Sequence, residues 1–249
     1  MYKKLSLWLL WLATYAGFLL LTLPAIQAYR LLPAAQASTI KVGSLSGTVW
    51  NALAKEVQVG ELRFRQAELS PNLLPLLTGK FTFNIKVSGR DLKAQTTLHP
   101  EPEGRWHLTN LQATLDAAQL AGWLKLTARF SGEIRLSLEE LRVHAQGIQD
   151  VRGKVIWDQA VIDSPLPIKL GKLQCDFRTQ NKQLVGTVKN SGEEISLRGK
   201  LTLGVGGDYQ LDLTLKPRTD ALRQQLATST PWIRPQRGGE YLFQFQGRL

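Results

Sequence analysis

The pattern of apolar and polar residues changes its period once along this chain. An unbroken apolar run covers Leu5–Leu23 and contains no charged side chain. A helix of that length rises about 28 Å, close to the hydrocarbon thickness of a bilayer. We therefore predict a single transmembrane helix over this run, because a helix satisfies its own backbone hydrogen bonds in lipid.

The residues around the apolar run indicate its orientation. Lys3 and Lys4 precede it, and the first acidic residue is Glu56. Because basic residues tend to stay on the cytoplasmic side, we expect a cytoplasmic N-terminus and an exported remainder. A cleaved signal is the alternative, but its apolar core usually has roughly 7 to 15 residues, with a small-x-small site close behind. The nearest such site, Ala35–Ala37, lies far downstream and therefore favours a retained anchor.

Beyond Pro33 the apolar residues recur with a period of two. Such alternation predicts strands with one buried and one solvated face, as in antiparallel sheets. Pro71–Leu77 favours a turn or a one-turn helix, and Asp116–Gly122 and Thr219–Ala227 favour short helices, the first capped by Asp116. The clearest alternating segments are Thr39–Val42, Lys80–Ser88, Trp106–Leu115, Glu133–Val143, Ile195–Leu203, Tyr209–Leu215 and Tyr241–Phe245.

A weak internal repeat runs through these predicted strands. Copies of the pattern apolar-x-Gly-x-apolar are centred on Gly47, Gly132, Gly153, Gly199 and Gly247. A glycine inside a strand lets a sheet bend or accept a bulge. We therefore predict a curved, meandering sheet, and we leave open whether its two halves are related or the repeat arose by chance.

Together these patterns define a mainly β fold class with one N-terminal transmembrane helix. We expect a cytoplasmic tail over residues 1–4, the transmembrane helix over 5–23 and a linker over 24–38. One extracytoplasmic, curved, mostly antiparallel β domain with the weak repeat would then occupy residues 39–249.

The chain is basic, with a formal net charge of +11, of which Lys3, Lys4 and Arg30 supply three. The remaining bases are spread singly among apolar residues, without a run of five or six. Nucleic-acid binding needs clustered bases with stacking aromatics, so we predict no nucleic-acid partner. The bases are better explained as solvated faces of strands, with a weak attraction to anionic lipids or acidic partners.

No residue pattern points to catalysis. The three histidines, His99, His107 and His144, lack further ligands at metal-binding spacing. Cys175 lies in an alternating segment without a nearby histidine, which favours a small buried hydrophobic residue over a nucleophile. We therefore expect neither enzymatic activity nor a cofactor or metal, and as the only cysteine Cys175 forms no internal disulfide.

Several short motifs resemble, in their order and spacing, the type II (general) secretion pathway protein N family. The resemblance covers essentially the whole chain. It rests on the anchor followed by Leu31–Pro33, Leu45–Trp50, Leu69–Lys80, Gly153–Trp157, Leu170-Gly171 and Lys216–Arg218.

The resemblance implies an accessory component of the apparatus that moves folded exoproteins across the outer membrane. It implies a single-pass inner-membrane protein with a periplasmic domain, whose partners are other secretion subunits and inner-membrane lipids. Formation of a homo-oligomer stays open. Candidate partner-contact or family-motif residues are Gly47, Thr48, Val49, Trp50, Pro71, Gly79, Gly153 and Trp157.

An exported lipid-handling module is the alternative function. A curved sheet tethered beside a membrane can present an apolar groove to acyl chains. A closed sandwich would bury one face of every strand, whereas a groove would leave a contiguous apolar lining without a covering layer. The alternation in the sequence fits both arrangements.

Overall fold

A computed structural model of the chain describes most of the residues beyond the apolar run. The described residues are 15, 22–30, 40–59, 62–72, 75, 79, 81–90, 92–123, 127–144, 147–164, 167–192, 194–204, 207–229 and 233–248. The predicted transmembrane helix therefore lies almost wholly outside them. Within the described part of the chain, no helix combines the length and the apolar character needed to cross a bilayer.

The chain divides into two compact units, Met1–Arg90 and Asp91–Leu249, here called unit 1 and unit 2. Unit 1 contains an antiparallel meander in which each strand pairs with the next along the chain. Its described elements are α1 (Ala25–Arg30), β1 (Ile40–Thr48), β2 (Asn51–Val59), β3 (Leu62–Pro71) and β4 (Phe83–Ser88).

Unit 2 is a longer antiparallel sheet with two short helices and one 3₁₀ turn, Pro102–Gly104. Its strand order is β5-β6-β7-β8-β9-β10-β11-β12-β14-β13, so only the last two strands depart from chain order. The elements are β5 (Leu92–Glu101), β6 (Arg105–Asp116), α2 (Ala117–Trp123), β7 (Arg129–His144), β8 (Gly147–Ser164), β9 (Ile168–Gln180), β10 (Gln183–Asn190), β11 (Ile195–Leu203), β12 (Asp208–Pro217), α3 (Asp220–Ser229), β13 (Ile233–Pro235) and β14 (Tyr241–Arg248).

The prediction of a mainly antiparallel β fold is confirmed, and so are both short helices. Asp116 caps α2, since the backbone N–H of Ala118 donates to its Oδ1 at 2.8 Å. Thr219 lies at the start of α3, where its Oγ1 accepts from the N–H of Leu222 at 3.4 Å. The predicted helix limits are therefore within two residues of those observed.

Strand register places the apolar residues of unit 2 on one face of its sheet. Ile134 lies opposite Trp157, which in turn lies opposite Leu173. Leu197 lies opposite Leu215, which lies opposite Tyr241. Because registered partners project from the same side, alternation within each strand becomes a continuous apolar face across the sheet.

The buried core of unit 2 lies at one end of this apolar face, under α3. Leu222 of α3 is buried together with Ile195, Leu197, Leu215 and Tyr241. The hydroxyl of Tyr241 donates to the carbonyl oxygen of Arg223 at 3.3 Å and so ties β14 to the helix. Ile195 is only 1% exposed and is the largest fully buried side chain among the described residues.

The repeated glycines do not all bend the sheet. Gly132 lies at a register shift between β7 and β8 with a φ of +114°, as expected for a bulge. Gly199 and Gly247 instead lie in regular register, opposite Leu213 and Tyr209. The Tyr209 side chain fills the space of a Cβ at Gly247, whereas at Gly199 the carbonyl oxygen of Asp212 and the Leu213 side chain fill it.

We expect Ile195→Ala to lower the free energy of unfolding by about 2 to 5 kcal/mol, because it leaves a cavity in the core. Ile148→Ala is the matched control, since Ile148 is 53% exposed and its truncation should cost less than about 0.5 kcal/mol. Chemical denaturation of the full-length protein measures both. Equal costs for the two variants would place the core elsewhere.

Candidate functional site

The first family motif forms the turn between β1 and β2. Gly47 and Thr48 end β1, and Val49 and Trp50 form a two-residue connection to Asn51. Gly47 has a φ of +87°, and a Cβ there would overlap the carbonyl oxygen of Asn51. Only glycine fits this position without a backbone shift.

The second motif lies at the same end of the unit 1 sheet. Pro71 is the last residue of β3 and pairs with Phe83, the first residue of β4. Gly79, in the connection between these strands, is exposed with a φ of +73°. Since Ala52 lies opposite Leu69, the β1–β2 turn and the β3–β4 connection emerge side by side.

This end of unit 1 is also tied to the end of the apolar run and to the residue that follows it. The N–H of Val49 donates to the carbonyl oxygen of Leu23 at 3.0 Å, and Pro24 forms an isolated bridge with Thr48. Leu23 is the last residue of the predicted transmembrane helix. The β1–β2 turn is therefore held beside the end of the apolar run.

Exposed apolar side chains accompany these motifs. Phe81 is 62% exposed and Leu69 is 38% exposed, while Trp50 is half-buried. We call the set Gly47–Trp50, Leu69, Pro71, Gly79 and Phe81 the motif end. Its chemistry is apolar and suits contact with a partner or a lipid interface, not proton or group transfer.

The remaining motif residues, Gly153 and Trp157, lie on the apolar face of unit 2. Trp157 packs against the buried core, and its Nε1 donates to the carbonyl oxygen of Ser131 at 3.0 Å. Its ring meets Phe130 edge to face, with centroids 5.8 Å apart. A Cβ on Gly153 would overlap backbone and side-chain atoms of β7, so glycine allows close strand approach there.

The apolar face of unit 2 is covered unevenly. At one end of the strands, α3 packs on β12 and β13, and α2 packs on β7. At the other end Trp106 lies opposite Val143, which lies opposite Ile148, and both Trp106 and Ile148 are exposed. Between the ends most apolar side chains are half-buried. Within the described residues, no second layer covers this face along its length.

The reactivity of the chain depends on its thiol and on any metal-binding side chains. Burial raises the pKa of the Cys175 thiol to about 11, with a further contribution from the neighbouring carboxylate of Asp176. The thiol is therefore protonated near neutral pH and is a poor nucleophile. Among the described residues, no group of three or more His, Cys, Asp or Glu side chains is arranged to hold a metal ion.

One pairing of histidines was not predicted from the sequence. His99 and His107 lie opposite each other across the β5–β6 hairpin, with ring centroids 5.4 Å apart. His99 Nε2 lies 3.0 Å from Thr109 Oγ1, and His107 Nε2 lies 3.2 Å from Glu140 Oε1. The signal was the charged turn Glu101–Gly104, because both histidines are four residues from Glu103, on which the hairpin is centred.

Comparisons of the chain with known proteins point to one family. The family model described as "Type II secretion system (T2SS), protein N" matches residues 38–242. The type II secretion system protein N of Aeromonas hydrophila is 24% identical over 254 residues, covering all of both chains. No solved structure matches the chain.

Fold and site together define a mainly antiparallel β protein with an exposed apolar sheet end. The matched region spans well over half of the chain, so the chain belongs to the type II secretion system protein N family. The resemblance drawn from the short motifs is thereby confirmed. Membership makes the chain a component of a protein-transport apparatus, the type II secretion system.

We expect Gly47→Ala to destabilise the protein more than Gly79→Ala. Both glycines have a positive φ, which costs an alanine about 1 to 2 kcal/mol. Only at Gly47 does the added Cβ also overlap a backbone atom, whereas no atom lies within 4 Å of a Cβ at Gly79. Denaturation midpoints of the two full-length variants measure the difference. Equal midpoints would mean that the β1–β2 turn is not packed as described.

Proposed function

We propose that this chain is an accessory inner-membrane component of the type II secretion system. It would act as a non-catalytic scaffold that supports export of folded exoproteins across the outer membrane. The family match over residues 38–242 supports the role in secretion. The observation that carries the scaffold proposal is the exposed, apolar motif end, held by Val49 beside Leu23.

The proposed topology has Leu5–Leu23 as a single anchor, residues 1–4 in the cytoplasm and residues 39–249 in the periplasm. The hydrogen bond from Val49 to Leu23 supports this arrangement, since it holds the motif end beside the last anchor residue. The motif end would then lie at the periplasmic surface of the inner membrane. Trp50 and Phe81 suit that position, because aromatic side chains favour the membrane–water interface.

A non-catalytic role is supported by the chemistry of the described residues. The Cys175 thiol has a raised pKa and packs against the buried core. His107 lies between two carboxylates, with Glu101 Oε1 at 3.7 Å and Glu140 Oε1 at 3.2 Å. The thiol is therefore a poor nucleophile, and both ring nitrogens of His107 face carboxylates.

Sheet edges offer a second means of docking to other secretion subunits, because unpaired strand N–H and C=O groups can accept a partner's strand. The last segment of the sequence, Tyr241–Leu249, is a candidate for such an edge. In the structure β13 pairs with β14 at Tyr241, Leu242 and Phe243. Along Gln244–Arg248 no described strand covers the outer side of β14, so the docking edge we propose is this shorter segment.

Lipid handling is the second candidate, and one observation favours it. The apolar face of unit 2 is contiguous and lacks a full covering layer within the described residues. It is closed under α3 at one end, while Trp106 is 43% exposed at the other. An acyl chain could enter at the exposed end and lie along this face.

Crosslinking in living cells separates the two functions. The native gene is deleted, and variants carry a photo-crosslinking amino acid in place of Phe81, Trp106 or, as the exposed control, Lys182. We expect deletion to reduce exoproteins in the medium and the wild-type chain to restore them. We expect position 81 to crosslink to another secretion subunit and position 182 to yield no crosslinked product.

Each outcome bears on one of the two proposals. Unchanged secretion after deletion, with no secretion subunit captured from position 81, would contradict the scaffold. If phospholipid also co-purifies and is captured from position 106, lipid handling replaces it. A subunit captured equally from positions 81 and 182 would contradict the role of the motif end.

A further inference from the structure

The polar face of unit 2 contains a groove that the sequence did not reveal. Its volume is about 620 Å³, and five consecutive strands, β7 to β11, contribute to its lining. Cavities that hold ligands commonly measure roughly 300 to 1,000 Å³. This groove is lined largely by charged and polar side chains, which indicates a polar ligand.

Cations outnumber carboxylates in the groove. Its basic residues are Arg152, Lys154, Arg178 and Lys200, and its acidic residues are Glu139 and Asp176. Glu139 Oε2 pairs with Arg152 Nε at 3.2 Å, and Asp176 Oδ2 lies 3.9 Å from Lys189 Nζ, outside the groove. Lys154, Arg178 and Lys200 have no ion pair with any described residue.

Strand register places Lys154 opposite Asp176 and Lys200 opposite Asp212, but it sets two of the cations directly against each other. Arg152 of β8 lies directly opposite Arg178 of β9, an arrangement that costs free energy because like charges face each other. Lys154 lies two residues along β8 from Arg152, on the same face of the sheet. A bound anion would relieve the repulsion and satisfy the unpaired cations.

The dimensions of the groove indicate the kind of anion. Five neighbouring strands about 4.8 Å apart span roughly 19 Å, which is the length of about six extended residues. A single phosphate would occupy only part of that length. A flat bilayer surface cannot enter a concave groove, whereas an extended polypeptide can lie along it.

We propose that this groove binds an extended acidic segment of a partner polypeptide. Carboxylates of the segment pair with Arg178 and Lys200, and hydroxyl and amide groups such as Thr187 and Gln180 donate further hydrogen bonds. Asp176 weakens binding by repulsion. The inference rests on register and charge within unit 2 and holds whether or not the motif end acts as proposed.

The test uses the full-length protein in detergent and a fluorescein-labelled eight-residue peptide of alternating glutamate and serine. Binding is measured by fluorescence anisotropy at low and high salt. Arg178→Gln/Lys200→Gln should weaken binding about tenfold or more, because charge-assisted hydrogen bonds are lost. Lys169→Gln/Arg237→Gln is the matched control, since it removes the same charge from exposed sites outside the groove.

Asp176→Asn should change the affinity for the peptide in the opposite direction. This variant should bind the peptide more tightly, which loss of folding could not produce, and salt should weaken binding in every variant. Circular dichroism checks that each variant is folded.

Three results would overturn the proposal. They are equal loss of binding in the groove and control variants, no binding of the peptide at low salt, and equal binding of a lysine–serine peptide. Binding of vesicles that contain phosphatidylglycerol is measured as a further experiment. Groove-dependent binding of these vesicles without peptide binding would make a lipid headgroup the ligand instead.

Discussion

Register between antiparallel strands is the constraint on which the rest of the structure depends. A one-residue slip in any pair would move every side chain of that strand to the other face of its sheet. In unit 2 the register aligns alternating strands so that apolar residues share one face and charged residues share the other. The core under α3 and the basic groove both follow from this separation.

In unit 1 the same meander brings distant motifs together. β1 and β3 run in the same direction, so the turn after Thr48 and the connection after Pro71 emerge at one end. A hydrogen bond from the backbone N–H of Val49 to the carbonyl oxygen of Leu23 then links that end to the last residue of the apolar run. A short apolar surface and the end of the apolar run thereby lie at the same end of the unit 1 sheet.

Local features of the fold were predictable, while features that depend on pairing were not. Alternation identified the strands, and Asp116 and Thr219 marked the helix starts, because these signals lie within a few residues of each other. The opposed arginines at positions 152 and 178 are 26 residues apart, and nothing in either strand alone indicates their register. The His99–His107 pair could have been found by folding β5 and β6 about the Glu101–Gly104 turn. The glycine repeat predicted bends or bulges in the sheet, but register places only Gly132 of these three glycines at a bulge, whereas Gly199 and Gly247 lie in regular register.

The central claim is that the motif end lies at the membrane surface. Because Cys175 is the only cysteine, Cys175→Ser provides a background in which Phe81→Cys or Lys182→Cys carries a single spin label. Electron paramagnetic resonance of the full-length protein in bilayers compares label accessibility to oxygen and to a water-soluble nickel complex. The account predicts that the label at position 81 favours oxygen and lies at the bilayer interface, while that at position 182 is exposed to water. Equal accessibility of both labels to the nickel complex would contradict it.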